Sequence, residues 1–271
     1  FFQAEDGIRD YYASRGLEMC IRDRESIDFN HNCTSIGKSA FRHCWSLPTQ
    51  EVEKLLKGCT SIGEAAFFEG RKITTLTIPN TVTTIGNQAF EACTALTDVT
   101  FTGTDADKVR LSSLGEKAFK DCYKLVNFYL QTETPNFTSM GDYCFERCHK
   151  LSTTAVNSNI LPRFKGTTIN QGVFRCCCTG LTEVIIPRTI TTIKNKGFHG
   201  TNALGTLTFA DRNGTLTIEN SRAFSPEPNE DDTYNQGTHR TTALTTVTFG
   251  NGTYSLSLIH ISEPTRRVVI S

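Results

Sequence analysis

Cysteine and histidine are the residue types here best suited to chemistry, and they cluster. Cys144, Cys148 and His149 form a C-x3-C-H group, and Cys176, Cys177 and Cys178 form an unbroken run. Thiolates and imidazoles at short spacing are the usual material of a zinc site, which needs four ligands converging on one point. PEPNEDD, residues 226 to 232, gathers four carboxylates. Calcium prefers clustered oxygens, yet this spacing matches no recognised calcium loop. Triplets that can accept an N-linked glycan begin at Asn32, Asn136, Asn213 and Asn251; they matter only in a eukaryotic secretory pathway. His43, His149, His199 and His239 have no base and nucleophile at recognisable spacing. HExxH, GxSxG, a phosphate-cradling P-loop and GxGxxG are all missing. The expectation is a chain that is not an enzyme, with no catalytic residue, no cofactor site and no metal ligand.

The bulk composition narrows the classes further. The chain has 271 residues, enough for one or two domains with a sizeable core. Lysine plus arginine is 28 and aspartate plus glutamate is 28. The balance is zero, so nothing suggests a surface tracking nucleic acid or drawn to an anionic membrane. No apolar run is long enough for a transmembrane helix.

Stepping from the reactive residues to their surroundings explains most of them. VTTIGNQAFEAC, residues 82 to 93, has relatives at TSIGKSAFRHC, TSIGEAAFFEG, SSLGEKAFKDC, TSMGDYCFERC and TTIKNKGFHG. Aligned on phenylalanine, the copies are Phe41, Phe67, Phe90, Phe119, Phe145, Phe174, Phe198 and Phe224. The spacings run from 23 to 29 residues, the range of leucine-rich solenoids. Three residues after most of these phenylalanines stands a cysteine. Cys148 and Cys177 occupy that slot and Cys144 takes the alanine slot, so the repeat accounts for them without a metal. Cysteines of the slot read as small buried hydrophobes. Cys176 and Cys178 stay unexplained, and a disulfide from either remains open if the protein is exported. The 11 cysteines therefore leave the compartment undecided.

A second phrase follows most copies: ITTLTI, LTDVTF, LVNFYL, LTEVII, LGTLTF and LTTVTF. Alternation over so few residues predicts a strand with one buried face. The inward pairs are Leu76 and Ile78, Val99 and Phe101, Phe128 and Leu130, Val184 and Ile186, Leu207 and Phe209, Val247 and Phe249. The outward neighbours are mostly threonine, β-branched yet tolerant of water. Asn127, Tyr129, Glu183 and Ile185 break that monotony. Pro79 and Pro187 end their strands, because proline cannot continue the ladder. Val82 with Ile85, and Ile190 with Ile193, turn back to the core. Gly86 makes a tight corner, and NQAFEAC forms one helical or 3₁₀-like turn held by its neighbours. No coil buries its own apolar face, so the coils must stack.

The composite phrase TxIGxxAFxxCxxLTxVxIPxxVTxIG resembles the leucine-rich repeats of the BspA, or Treponema pallidum, type, over roughly residues 33 to 250. The resemblance implies a right-handed solenoid of about eight coils, with short parallel strands on one side and turns or 3₁₀ and helical turns on the other. It implies no catalytic residues. Ile85, Gly86, Ala89, Phe90, Cys93 and Leu96 match the pattern in order; Ile62, Gly63, Ala66 and Phe67 also match, but Gly70 stands in the cysteine slot. LPTQEVEKLLKGC (47 to 59) replaces one strand with a helix-like phrase, LSTTAVNSNILPRFKG (151 to 166) blurs the fifth copy, and the eighth carries a polar insert at 225 to 242. The family's members are often secreted or cell-surface proteins linked to adhesion. The expectation is a non-enzymatic module binding a protein or glycoprotein, outside the cell or on its surface, without nucleic acid and without membrane contact from this segment. Tyrosine is a frequent interface anchor, which singles out Tyr129. The alternatives are an intracellular interaction scaffold, or the repeat region of a larger enzyme.

Two ends share nothing with the repeat. FFQAEDGIRD and SLIHISEPTRR resemble translated sequencing-adapter read-through. The expected organisation is a non-native segment at 1–24, the solenoid at 25–255, and a second non-native segment at 256–271.

Overall fold

A computed structural model describes residues 33–104, 108–134, 136–219, 223–224, 246–256 and 267–270. Residues 1–24, Asn32, the carboxylates at 226 to 232 and His239 lie outside them. The chain winds as a leucine-rich-repeat solenoid whose coils have three sides. One side is a short strand, as at Ser61–Ile62, Thr84–Ile85 and Ser113–Leu114. The next is a turn around the repeated phenylalanine. The third is a four-residue strand, as at Thr75–Ile78, Asp98–Phe101 and Asn127–Leu130.

Both strand sides stack in parallel and in register. Leu76 faces Val99, which faces Phe128; Val184 faces Leu207, which faces Val247. Inward residues therefore fall in columns, and one connected core runs from Ile36 to Val247. Phe249, inward by pattern, is only partly buried against it. The long-strand side is interrupted twice by helix. Thr49–Leu56 is the first, where Val52, Leu55 and Leu56 supply the apolar face. The second is a π-helical segment, Ala155–Ile160, running into a turn at Leu161–Arg163. It separates the sheet of Thr75–Ile78, Asp98–Phe101 and Asn127–Leu130 from that of Glu183–Ile186, Thr206–Phe209, Thr246–Phe249 and Arg267–Ile270. Thus the blurred fifth copy folds as helix, and its Val156, Ile160 and Leu161 stay in the core. Within the last segment of the chain, Arg267–Ile270 continues the sheet in register beside Thr246–Phe249.

The phenylalanine side is a turn of alternating backbone handedness rather than a helical turn. From Phe41 to Phe198, the residues two before and two after each phenylalanine of the column have positive φ: Gln88 and Ala92 around Phe90, Lys117 and Asp121 around Phe119, Tyr143 and Arg147 around Phe145. The alternation sets every second peptide plane along the solenoid axis. The N–H groups of Gln88, Phe90 and Ala92 donate to the carbonyls of Glu116, Ala118 and Lys120 in the next coil, at 2.8, 2.9 and 2.8 Å. The intervening N–H groups close within the coil, as from Cys93 to the Phe90 carbonyl at 3.2 Å. A helix would satisfy its own backbone and offer nothing to its neighbour. This turn makes a third ladder instead, and it crosses the fifth copy intact: Tyr143, Phe145 and Arg147 donate to Gln171, Val173 and Arg175.

Gly86 is required by proximity, not by an unusual φ. A Cβ there would stand 2.7 Å from the Gly63 carbonyl carbon and the Glu64 nitrogen of the preceding coil. Coils in this corner touch backbone to backbone, and only a residue without a side chain fits.

Candidate recognition face

The eight phenylalanines form a stacked column. Consecutive rings from Phe41 to Phe224 are 5.1 to 5.8 Å apart and within 16° of parallel. Phe41, Phe67, Phe90, Phe119, Phe145, Phe174 and Phe198 are fully buried, while Phe224 is partly buried against the core. The coil spacing of about 4.8 Å sets the ring distance, and a small lateral offset lengthens it while avoiding face-to-face repulsion.

The cysteine slot has its own rule. The thiols of Cys93, Cys122, Cys148 and Cys177 donate to the carbonyls of Phe67, Phe90, Phe119 and Phe145, each in the preceding coil, at 3.3, 3.2, 3.1 and 3.5 Å. A thiol here is small enough for the core and still donates a weak hydrogen bond. Burial pushes the Cys93 thiol up to about 12 and those of Cys122, Cys148 and Cys177 well above their ordinary range. Such thiols are poor nucleophiles and poor metal ligands at neutral pH. Cys176 and Cys178 are also buried. Cys178 donates to the Cys176 carbonyl at 3.2 Å. His149 is turned away from Cys144: its Nδ1 lies 2.9 Å from the Cys176 carbonyl, and its ring stacks on Tyr123. Among the described residues, no group of three or more histidine, cysteine, aspartate or glutamate side chains could hold a metal ion.

Beside the phenylalanines runs a row of charge. Glu146, 2% exposed, is gripped by Lys120 at 2.9 Å from one neighbouring coil and by Arg175 from the other. Glu91, two coils earlier, has its carboxyl raised by burial, offset in part by a hydrogen bond from Gln88 at 2.7 Å. Sequence reading missed this row. Its signal is the residue after the five phenylalanines from Phe90 to Phe198, which reads Glu91, Lys120, Glu146, Arg175 and His199.

The long-strand side presents its alternate residues outward. Its outward rows are in register: Thr77, Thr100 and Tyr129 in one sheet, Ile185, Thr208 and Thr248 in the other. Tyr129, at 41% exposure, and Ile185, at 42%, are the exposed large hydrophobic side chains among the described residues. They flank the helical fifth copy, which is packed on both the Asn127–Leu130 and Glu183–Ile186 strands. Asn157, from that helix, holds the strand beyond it. Its carboxamide accepts from the Ile185 N–H at 3.0 Å and donates to the Glu183 carbonyl at 3.1 Å. One side chain so imitates the strand that the helix displaced. Glu53 does the same for the first helix, accepting from the Thr77 N–H at 2.8 Å. Asn127 donates to Asp98 at 2.7 Å and is tied into the sheet. Of the four outward residues that depart from threonine, the structure thus leaves Tyr129 and Ile185 well exposed, ties the Asn127 side chain into the sheet and leaves Glu183 half-buried.

No helix among the described residues is long and apolar enough to cross a membrane. Comparison with known proteins follows from this geometry. The BspA type leucine rich repeat region matches in 6 copies, over residues 18–152, 60–204 and 167–263. No curated protein matches the chain. Among solved structures, a leucine-rich repeat protein of Bacteroides ovatus is similar with a TM-score of 0.48 and 20% identity, covering 84% of this chain. The chain spans 62% of that protein's length. A leucine-rich cell surface protein of Faecalibacterium prausnitzii is similar with a TM-score of 0.31 and 19% identity, over 86% of this chain and 73% of the other. The T. pallidum leucine-rich repeat protein is similar with a TM-score of 0.37 and 15% identity, over 80% and 73%. With its repeats matched along most of their length and stacked as one solenoid, the chain belongs to the BspA-type leucine-rich repeat family.

Proposed function

We propose that the chain is a non-enzymatic protein-binding module, displayed outside the cell and used in adhesion or recognition of a protein or glycoprotein. The observation that carries this reading is the placement of Tyr129 and Ile185. Two large apolar side chains stand exposed on a face otherwise kept short and polar, on opposite flanks of a helix that breaks the sheet. Isolated threonines need no partner, whereas an aromatic and an aliphatic anchor gain by desolvation. A second reading, an intracellular interaction scaffold, is favoured by one observation: Cys93, Cys122, Cys148 and Cys177 fill the core as thiols donating to backbone carbonyls, which suits a reducing compartment.

Protease shaving of intact source cells separates the two. Loss of the protein from intact cells supports display, and survival until lysis supports the scaffold. Binding is tested with labelled protein on cells and on immobilised matrix proteins. Tyr129→Ala is expected to weaken capture by about tenfold or more, the scale of an interface anchor. A specific turnover by the repeat region, abolished by one substitution without loss of folding, would defeat both readings.

A further inference from the structure

We infer that Cys33 and Cys59 form a redox pair, which a small-molecule disulfide closes into a bridge stapling the first described coil to the next. The pair stands on ladder geometry. Ser35 pairs with Ser61 and Ile36 with Ile62. The Thr60 N–H donates to the Thr34 carbonyl at 2.8 Å, so the two chains still run side by side one residue earlier. Two residues before the Ser35 pairing, Cys33 lies opposite Cys59. The Cys59 thiol is 3.2 Å from the Cys33 carbonyl oxygen, and the Cys33 thiol donates to the Ser35 carbonyl at 2.9 Å. Neighbouring strands are about 4.8 Å apart, inside the range of roughly 4.4–6.8 Å that a disulfide spans between Cα atoms.

The pair also differs from every other described cysteine in access. Cys33 is the one that is not buried. The adjacent Cys59 thiol holds the Cys33 thiol down at about 7, against partial burial and with help from the Ser35 backbone. Its partner is pushed the opposite way, by the neighbouring Cys33 thiol and by burial. One accessible thiolate beside one protonated resolving thiol is the arrangement that oxidises selectively. The Cys33 thiolate attacks one sulfur of the small disulfide, breaking its S–S bond and releasing one small thiolate. Cys59 then loses its proton and attacks the Cys33 sulfur, forming the protein bridge and releasing the second small thiolate. Two protein thiols are oxidised as one small disulfide is reduced to two thiols. The inference is independent of what the strand face binds.

The full native chain is treated with oxidised glutathione, trapped with an alkylating agent under denaturing conditions, and mapped by mass spectrometry. The expected result is a loss of two alkylatable thiols from the 11, with one bridge joining Cys33 to Cys59. A brief native pulse of alkylating agent should mark Cys33 before any other described cysteine, at a rate half-maximal near pH 7. Cys33→Ser should abolish the bridge, and Cys59→Ala should leave Cys33 holding glutathione. A bridge to any other cysteine, a stable glutathione adduct on Cys33 in the unaltered chain, or native labelling that reaches another described cysteine first, overturns it. Cys33→Ser alters a half-buried position, so folding of that variant does not depend on filling the core.

Discussion

Glu91 shows how a single side chain is tuned by the stack. Burial disfavours its charged form, and the Gln88 hydrogen bond recovers only part of the loss. Its folded carboxyl therefore binds a proton more tightly than in the unfolded chain. Between the ordinary carboxylate range and the raised folded value, the native state holds more protons than the unfolded one, so stability falls as pH rises. Glu91→Gln keeps an acceptor for Gln88 and removes the charge. The variant is expected to melt higher at pH 7 than the unaltered protein and to lose that advantage near pH 4, as thermal denaturation at the two pH values will show. Phe90 answers to packing alone. Its ring stacks between Phe67 and Phe119 at 5.3 and 5.4 Å. Phe90→Ala is expected to cost about 3–5 kcal/mol by denaturant unfolding, with amide exchange accelerated first in the coils on either side. Accelerated exchange spread evenly over the chain would contradict a nearest-neighbour stack.

At the scale of the element, the turn and the inserted helix make opposite demands. In a helical turn, Lys196→Gly would cost about 1 kcal/mol. Lys196 instead has φ 59°, a left-handed value that glycine adopts freely. The substitution is therefore expected to leave stability unchanged or slightly raised, and a full helical penalty in chemical denaturation would overturn the alternating-turn description. The helix of the fifth copy depends on Asn157. Asn157→Ala strands the Ile185 N–H and the Glu183 carbonyl at the edge of a sheet. The expected loss is about 0.5–1.5 kcal/mol, because water can reach the freed groups, read as faster amide exchange at Ile185, with the sheet beyond it intact.

The whole molecule is held together unevenly. Neither strand side is continuous: the short strands stop at Ser139–Met140 and resume at Thr168–Ile169, and the long strands part around the helix. Whereas the short-strand side is bridged there by the Asn170 carboxamide, which donates to the Met140 carbonyl at 2.7 Å, the phenylalanine side carries its backbone ladder and its stacked rings through the break. Its axial peptide planes all point one way, with N–H groups toward the C-terminal coils, so their dipoles add as they do in a helix. An open stack also leaves its last strand able to accept any compatible partner. The pairing of Arg267–Ile270 with Thr246–Phe249 uses that edge, and a segment foreign to the repeat can do so because backbone hydrogen bonds carry no sequence requirement. The adapter reading of the ends predicts that the source genome does not encode FFQAEDGIRD or SLIHISEPTRR in frame with the repeats. Sequencing the locus checks it, and an uninterrupted frame would refute it.

The sequence by itself determined the solenoid, its coil length and its buried columns, because a phenylalanine recurring every 23 to 29 residues can be buried only by stacking. Tyr129 and Ile185 were legible too, as large residues breaking a row of threonines. Other features needed the third dimension. The tetrapeptide TLTI occurs at Thr75–Ile78 and at Thr215–Ile218. The first lies on the long-strand side, and the second pairs with the short strand Thr192–Ile193. Alternation reports only that one face is buried, and both sides of a coil bury a face. Likewise nothing local in AVNSNI announces a helix, or marks Asn157 as the residue that replaces a strand edge. Those outcomes follow from which backbone groups the neighbouring coils leave unpaired, and that is decided only when the coils are stacked.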